Sequence, residues 1–91
     1  MNAAAGVIVE FYGIPRQRAG RAELSCPPGT VRDLLLEVER ICPKLHGLLA
    51  ANGRLAPQYL LSLDGRRFTA DLGESVRAGD RLVLLSADAG G

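Results

Sequence analysis

The residues with the most distinctive chemistry are the last six, Ser86 to Gly91, which read SADAGG. Extended, they reach about 20 Å, enough to carry a terminal carboxylate away from a folded body. Gly90 and Gly91 lack a Cβ and can pass through a slot too narrow for other residues. A carboxylate is a poor electrophile and needs activation, most simply as a mixed anhydride with AMP that a nucleophile displaces. We therefore predict that Gly91 supplies the reacting acyl carbon and that Gly90, Ala89 and Asp88 insert into a partner's active site.

Other kinds of site find little support. The chain has one histidine, His46, and two cysteines, Cys26 and Cys42, none at metal-ligand spacing. It also lacks a glycine-rich phosphate loop and a nucleophile-base pair. We expect no metal, no tightly bound cofactor and no self-contained enzyme. The cysteines are interpreted as small apolar fillers in a reducing compartment, with a disulfide or redox role as the alternative.

Composition limits the class of protein. The chain has 91 residues, 47% of them hydrophobic and 23% charged, with a net charge of +1. These values predict one small globular domain and give no indication of disorder or of a nucleic-acid partner. No run of eighteen apolar residues exists, and residues 1–6 do not resemble a signal peptide. We expect a cytosolic protein without a membrane partner.

The first part of the chain predicts a β-hairpin. Val7 to Tyr12 reads VIVEFY and is rich in β-branched and aromatic residues, so it is predicted to be a strand. A long loop with Gly13, Pro15 and Gly20 is expected next. Alternation of Ala22, Leu24 and Cys26 with polar residues then indicates an antiparallel partner strand.

A single main helix should follow. Thr30, with Asp33 three residues later, has the pattern of a capping box. Apolar residues then recur at helical spacing through Ile41, and Pro43 ends the helix. Residues 44–57 contain too many turn-forming residues for a second long helix, so we predict a turn or short helix and a loop.

The second half predicts three more strands. Tyr59, Leu61 and Leu63 share one strand face, and Asp64-Gly65 predicts a tight turn before a short return strand at residues 67–69. Leu72 and Val76 are expected to cover the core, and residues 77–80 to form a turn. The last strand, residues 81–86, has four consecutive apolar residues, which indicates burial on both faces beside a parallel first strand.

Together these elements predict an α+β fold of the β-grasp, or ubiquitin-like, type: a mixed sheet packed around one main helix. We assign residues 1–85 to this domain and 86–91 to a flexible C-terminal tail. Tyr12, Arg16 and Phe68 are candidates for docking a partner, together with the leucines on the outer sheet face. Core packing is the favoured role for most of these aromatic and leucine side chains. Arg18 and Arg21 lie near Arg16 in the sequence and are interpreted as solvated surface charge or as a partner or anion contact.

Three stretches resemble the MoaD/ThiS family of ubiquitin-like sulfur carriers. VIVEFYGIPRQRAGRAEL is similar to the first hairpin of that family, PPGTVRDLLLEV to its loop and helix start, and RAGDRLVLLSADAGG to its last turn, strand and diglycine end. The terminal glycines are the most specific element. The tail departs from the molybdopterin branch, which often has a phenylalanine and prolines ahead of the glycines.

The resemblance implies a function. An adenylyltransferase of the ubiquitin-activating type would use ATP to adenylate Gly91, and a sulfur donor would convert it to a thiocarboxylate. That group would serve a synthase, such as a molybdopterin synthase large subunit. Sulfur delivery to thiamine thiazole or to cysteine biosynthesis is an alternative. Two further hypotheses are a protein modifier conjugated through Gly91 and an interaction module whose tail is idle.

Overall fold

The computed structural model describes residues 6–87. In chain order the elements are β1 (Val7–Phe11), α1 (Ile14–Ala19), β2 (Glu23–Cys26), β3 (Gly29–Thr30), α2 (Val31–Ile41), a 3₁₀ helix (Pro43–Leu45), β4 (Tyr59–Leu63), β5 (Arg67–Thr69), β6 (Ser75–Val76) and β7 (Arg81–Ser86). Five strands form one sheet in the order β2-β1-β7-β4-β5, and β3 pairs with β6. Strands β1 and β7 are parallel, whereas the other pairs are antiparallel. The predicted β-grasp architecture is confirmed.

The core lies between the sheet and α2. In β1, Val7, Val9 and Phe11 are buried, as the two-residue period of a strand requires. In α2, spacings of three and four residues place apolar side chains on one face of the helix. The buried residues of α2 are Val31, Leu34, Leu35 and Val38. Leu72 and Val76, predicted to cover the core, are also buried.

Helix α2 begins and ends where the sequence predicts. The Asp33 backbone N–H donates to Thr30 Oγ1 at 3.1 Å, and the Thr30 N–H donates to Asp33 Oδ2 at 3.1 Å. This reciprocal pair satisfies two backbone donors that the first turn leaves free. The α-helix ends at Ile41, and Pro43 begins the 3₁₀ helix.

The prediction of a long loop between β1 and β2 is wrong, because the chain forms helix α1 there. Pro15 lies in its first turn, where the fixed φ of proline suits a helix and no amide donor is lost. Gly20 follows the helix with φ 74°, and its N–H donates to Arg16 O at 3.0 Å. A proline near the start and a glycine after the end thus delimit a six-residue helix.

Two further differences concern strands. The expectation that β7 is buried on both faces is wrong: Leu82 and Leu84 are buried, but Val83 and Leu85 are half-buried on the other face. A run of apolar residues can therefore serve one core face and one partly exposed face. The β3–β6 pair was not predicted, because two-residue strands carry no periodic pattern.

Candidate functional site

The predicted reacting residues lie outside the part of the chain that the structure describes. Gly91, Gly90, Ala89 and Asp88 all follow Ala87, the last described residue. What the structure defines is the place from which these residues continue. Ser86, Ala87, Gln58 and Tyr59 form this place, which we call the exit point.

At the exit point the chain is held by strand pairing up to its last described residue. Ser86 lies opposite Tyr59 in the antiparallel β4–β7 pair, and the Ala87 N–H donates to Gln58 O at 2.8 Å. Ser86 is buried, whereas Ala87 is exposed. The chain thus passes from a paired central strand to the protein surface within one residue.

Helix α1 lies beside the exit point. A Cβ added to Gly13, which precedes α1, would lie 4.0 Å from Ser86 Cβ. On the same helix, Arg18 Nη1 donates to the hydroxyl of buried Tyr59 at 3.2 Å. Arg16, a predicted docking residue, is exposed on α1. The structure therefore places this candidate on an element that contacts β7.

The other two docking candidates lie together elsewhere, on the sheet face that points away from α2. Tyr12 is 51% exposed and Phe68 is 66% exposed. With the half-buried Val83 and Leu85 they line a shallow cleft of about 370 Å³. We call these four side chains the outer-face patch. Arg16 is not among the residues that line this cleft.

Paired charges border the outer-face patch on one side. Arg81 Nη1 donates to Glu10 Oε2 at 2.7 Å and lies 3.7 Å from Glu23 Oε1. The Arg81 backbone N–H donates to Asp64 Oδ1 at 2.9 Å. Because these carboxylates already have hydrogen-bonding partners, the patch offers an apolar surface whose bordering charged groups are engaged within the domain, which suits docking on another apolar surface.

The cysteines do not form part of this site. Both are buried free thiols. Burial, assisted by the nearby Glu37 carboxylate, raises the pKa of the Cys26 thiol to about 11. A thiol with this pKa remains protonated near neutral pH and is a poor nucleophile. This supports the interpretation of Cys26 as a core filler.

Residues 6–87 show neither a metal-ligand cluster nor a membrane-spanning helix. No three potential metal-ligating side chains come together in this range. Of the helices in this range, none has the length and apolar content needed to cross a membrane.

Sequence reasoning missed several contributors to these surfaces. The sequence predicts burial of residues 82–85 on both faces, although the alternation of Val83 and Leu85 with Leu82 and Leu84 could have indicated a second, partly exposed face. The contact between Arg18 and Tyr59 joins residues 41 positions apart and leaves no local signal. Helix α1 could have been found from Pro15 and Gly20, which have the usual positions of these residues at helix ends.

Known structures share this fold. SAMP1 from Haloferax volcanii has a TM-score of 0.80 at 24% identity, with 94% of this chain and 99% of that chain covered. CysO, from the Amycolatopsis orientalis BexX/CysO complex, gives 0.77 at 24% identity over 93% and 99%. A putative molybdopterin converting factor subunit 1 from Pyrococcus furiosus gives 0.71 at 20% identity over 90% and 97%.

Neither the protein-family models nor the curated proteins include a match to this chain. The solved structures nevertheless confirm, at the level of the fold, the resemblance inferred from the sequence. At these identities the similarity establishes the fold.

Proposed function

We propose that this chain, which has the β-grasp fold of the ubiquitin-like sulfur carriers, is itself a sulfur carrier that reacts through the carboxylate of Gly91. It is the substrate of a partner enzyme in the cytosol and not a catalyst in its own right. The observation that carries the proposal is the exit point, where central strand β7 delivers the chain to the surface at Ala87, four residues before Gly91.

The chemistry requires two partners. In an adenylyltransferase of the ubiquitin-activating type, a carboxylate oxygen of Gly91 attacks the α-phosphorus of ATP, and pyrophosphate leaves. A hydrosulfide equivalent from a sulfur donor then attacks the acyl carbon, so that AMP leaves and a thiocarboxylate remains. A synthase accepts this sulfur. The carrier contributes a glycine end that fits a narrow slot and a body that positions it.

Two features of the body support this role. The Ala87 N–H donates to Gln58 O, so residues 88–91 continue from a position that is fixed on the domain. The outer-face patch lies on the same domain and offers the partner an apolar surface on which to dock. We assign Tyr12 and Phe68 to this docking role, and Arg16 to a contact beside the exit point.

The test is mass spectrometry of the intact chain after incubation with a cognate activating enzyme, ATP and a sulfur donor. The expected product is heavier by the difference between sulfur and oxygen, and the change should map to Gly91. Deletion of Gly90 and Gly91 should abolish it. If no activating enzyme from the same cell forms an adenylate or thiocarboxylate on the full chain, the proposal is wrong.

A matched substitution separates slot fitting from general damage. Gly90→Leu adds a side chain to the proposed tail and should stop adenylation. Gly73→Leu adds the same side chain to an exposed loop of the body and should leave adenylation intact. Equal adenylation of both variants would contradict insertion into a narrow slot.

For the sulfur acceptor we propose a synthase of the molybdopterin type, with this chain in the position of the small subunit. One neighbour is described as a putative molybdopterin converting factor subunit, which favours this branch. Thiazole formation and cysteine formation are the alternatives. Purified thiocarboxylate should be offered to each kind of synthase from the same cell, and sulfur should reach the molybdopterin precursor.

A second candidate function is protein modification through an isopeptide bond from Gly91. Another neighbour is described as small archaeal modifier protein 1, which favours this possibility. Proteomics should then find lysines that carry the C-terminal residues of this chain. Polymers in which one copy of the protein is attached to a lysine of the next could use a single linkage, because Lys44 is the single lysine.

A further inference from the structure

Positive charge is concentrated on one short stretch and one neighbouring element. Arg16, Arg18 and Arg21 lie between Gly13 and Ala22, where the sequence has no acidic residue. Lys44 lies in the 3₁₀ helix, and residues 41–50 also contain no acidic residue. Because the whole chain has a net charge of +1, the remaining residues carry a net charge of −3. We call these four cations the exit-side basic patch.

The fold brings the two segments together beside the exit point. Helix α1 contacts the 3₁₀ helix on one side and β7 on another. Arg18 is bonded to Tyr59, which lies opposite Ser86 in the sheet. All four cations are exposed. Helix α1 therefore lies beside the place where residues 88–91 continue from the domain, and the 3₁₀ helix with Lys44 lies against α1.

Carboxylates of the domain do not neutralise the exit-side basic patch. Within residues 6–87, every ion pair joins other residues: Arg40 with Glu37, Arg67 with Glu74, and Arg81 with Glu10 and Glu23. Glu39 accepts a hydrogen bond from the Leu48 N–H. The positive charge of the patch is thus available to a molecule outside the described chain.

We propose that the exit-side basic patch docks on an acidic protein surface at the mouth of the active site that receives residues 88–91. The inference rests on the proposed function for the identity of that enzyme, and on charge complementarity for the chemistry of its surface. Opposite charges on the carrier and around the enzyme's cleft raise the rate of association and orient the carrier as it binds. Neither α1 nor the 3₁₀ helix contains an aromatic residue on which a nucleic-acid base would stack, so a protein surface is favoured.

The test compares two charge reversals of equal size in the full chain. Arg21→Glu with Lys44→Glu changes the patch. Arg66→Glu with Arg77→Glu is the control, because both arginines are exposed in turns at the opposite end of β7. Neither pair removes a side-chain hydrogen bond seen in residues 6–87. Circular dichroism should show that both variants fold.

The measurement is carrier-dependent ATP–pyrophosphate exchange by the activating enzyme. The patch variant should raise the KM for the carrier roughly tenfold at low salt, with kcat unchanged, and added salt should shrink the difference. The control should match the wild type. Equal KM values for both variants would overturn the inference about the patch. Pyrophosphate exchange with the wild-type carrier would still support the proposed function, so the two failures can be told apart.

A second measurement does not depend on adenylation. In NMR titrations of the full chain with a short peptide of aspartate and glutamate, backbone N–H signals of residues 16–21 and 44–46 should shift, and those of residues 64–67 should not. Equal shifts at both ends would overturn the inference even if the sulfur-transfer proposal had already failed. Stronger shifts of the same amides with a single-stranded RNA of equal charge would overturn it in favour of a nucleic-acid partner.

Discussion

Thr30 shows how a single residue sets the position of the main helix. Its side chain and that of Asp33 cap the first turn of α2 in both directions. Thr30→Ala should lower the free energy of unfolding by about 1 kcal/mol, because one backbone donor loses its acceptor. Urea denaturation measures this loss. Ser25→Ala, which removes an exposed hydroxyl from β2, is the control and should leave the unfolding midpoint unchanged.

Cys26 leads to a prediction about pH. Its pKa is raised by burial to about 11, so the thiol ionises less readily in the folded state than in the unfolded state. The unfolded state therefore releases a proton first, and stability from this group should be complete below pH 9 and decline as the pH rises toward 11. Urea midpoints measured from pH 8 to 11 should fall in the wild type more steeply than in Cys26→Ala. Parallel curves would contradict the assignment.

At the scale of elements, α1 depends on the glycine that follows it. Gly20 has φ 74°, a left-handed conformation that costs other residues about 1–2 kcal/mol. Gly20→Ala should therefore destabilise the protein by about 1 kcal/mol, and Gly20→Asn by less, because asparagine tolerates this region better. Thermal and urea unfolding test both variants. Gly73→Ala is the control, since an added Cβ there meets only Asp71 Oδ1 at 3.5 Å.

The elements that the sequence predicts best are those with long periodic patterns. Alternation in β1 and helical spacing in α2 each fix one buried face, so bounds and orientation follow from the residues. Helix α1 has six residues and one buried side chain, Pro15, which is too little for a period to be read. Its position depends on contacts with β7 and the 3₁₀ helix, which are distant in sequence.

The candidate site follows the same logic. The prediction that Gly91 reacts depends on a local feature, the diglycine end, which is read directly from the sequence. Tyr12 and Phe68 are docking candidates from the sequence, with core packing as the other role, but their meeting on one exposed face depends on the strand order β1-β7-β4-β5. The exit-side basic patch joins α1 to residue 44, so only tertiary structure brings it together.

At the scale of the whole molecule, the outer-face patch should matter for binding and not for folding. Phe68 is 66% exposed, so Phe68→Ala should change the free energy of unfolding by less than about 0.5 kcal/mol. Capture of the activating enzyme by the full chain should nevertheless weaken, because an aromatic anchor is lost from the contact surface.

Leu36 provides the matched control for this prediction. It is also a large exposed apolar residue, but it lies on α2, away from the outer-face patch. Leu36→Ala should leave capture of the activating enzyme unchanged in a pull-down or biolayer measurement. Equal weakening by both substitutions would contradict a specific role for Phe68.

The parallel pairing of β1 with β7 also has a mechanical consequence. A force that separates Val7 from Ser86 pulls these neighbouring strands in opposite directions along their length. Their hydrogen bonds are then loaded together in shear, whereas a hairpin pulled open from its ends loses its bonds one after another. Forced unfolding is governed by the unfolding rate. An unfoldase that pulls on residues beyond Ala87 while β1 is held in place would therefore have to break the β1–β7 hydrogen bonds together, against a high unfolding barrier.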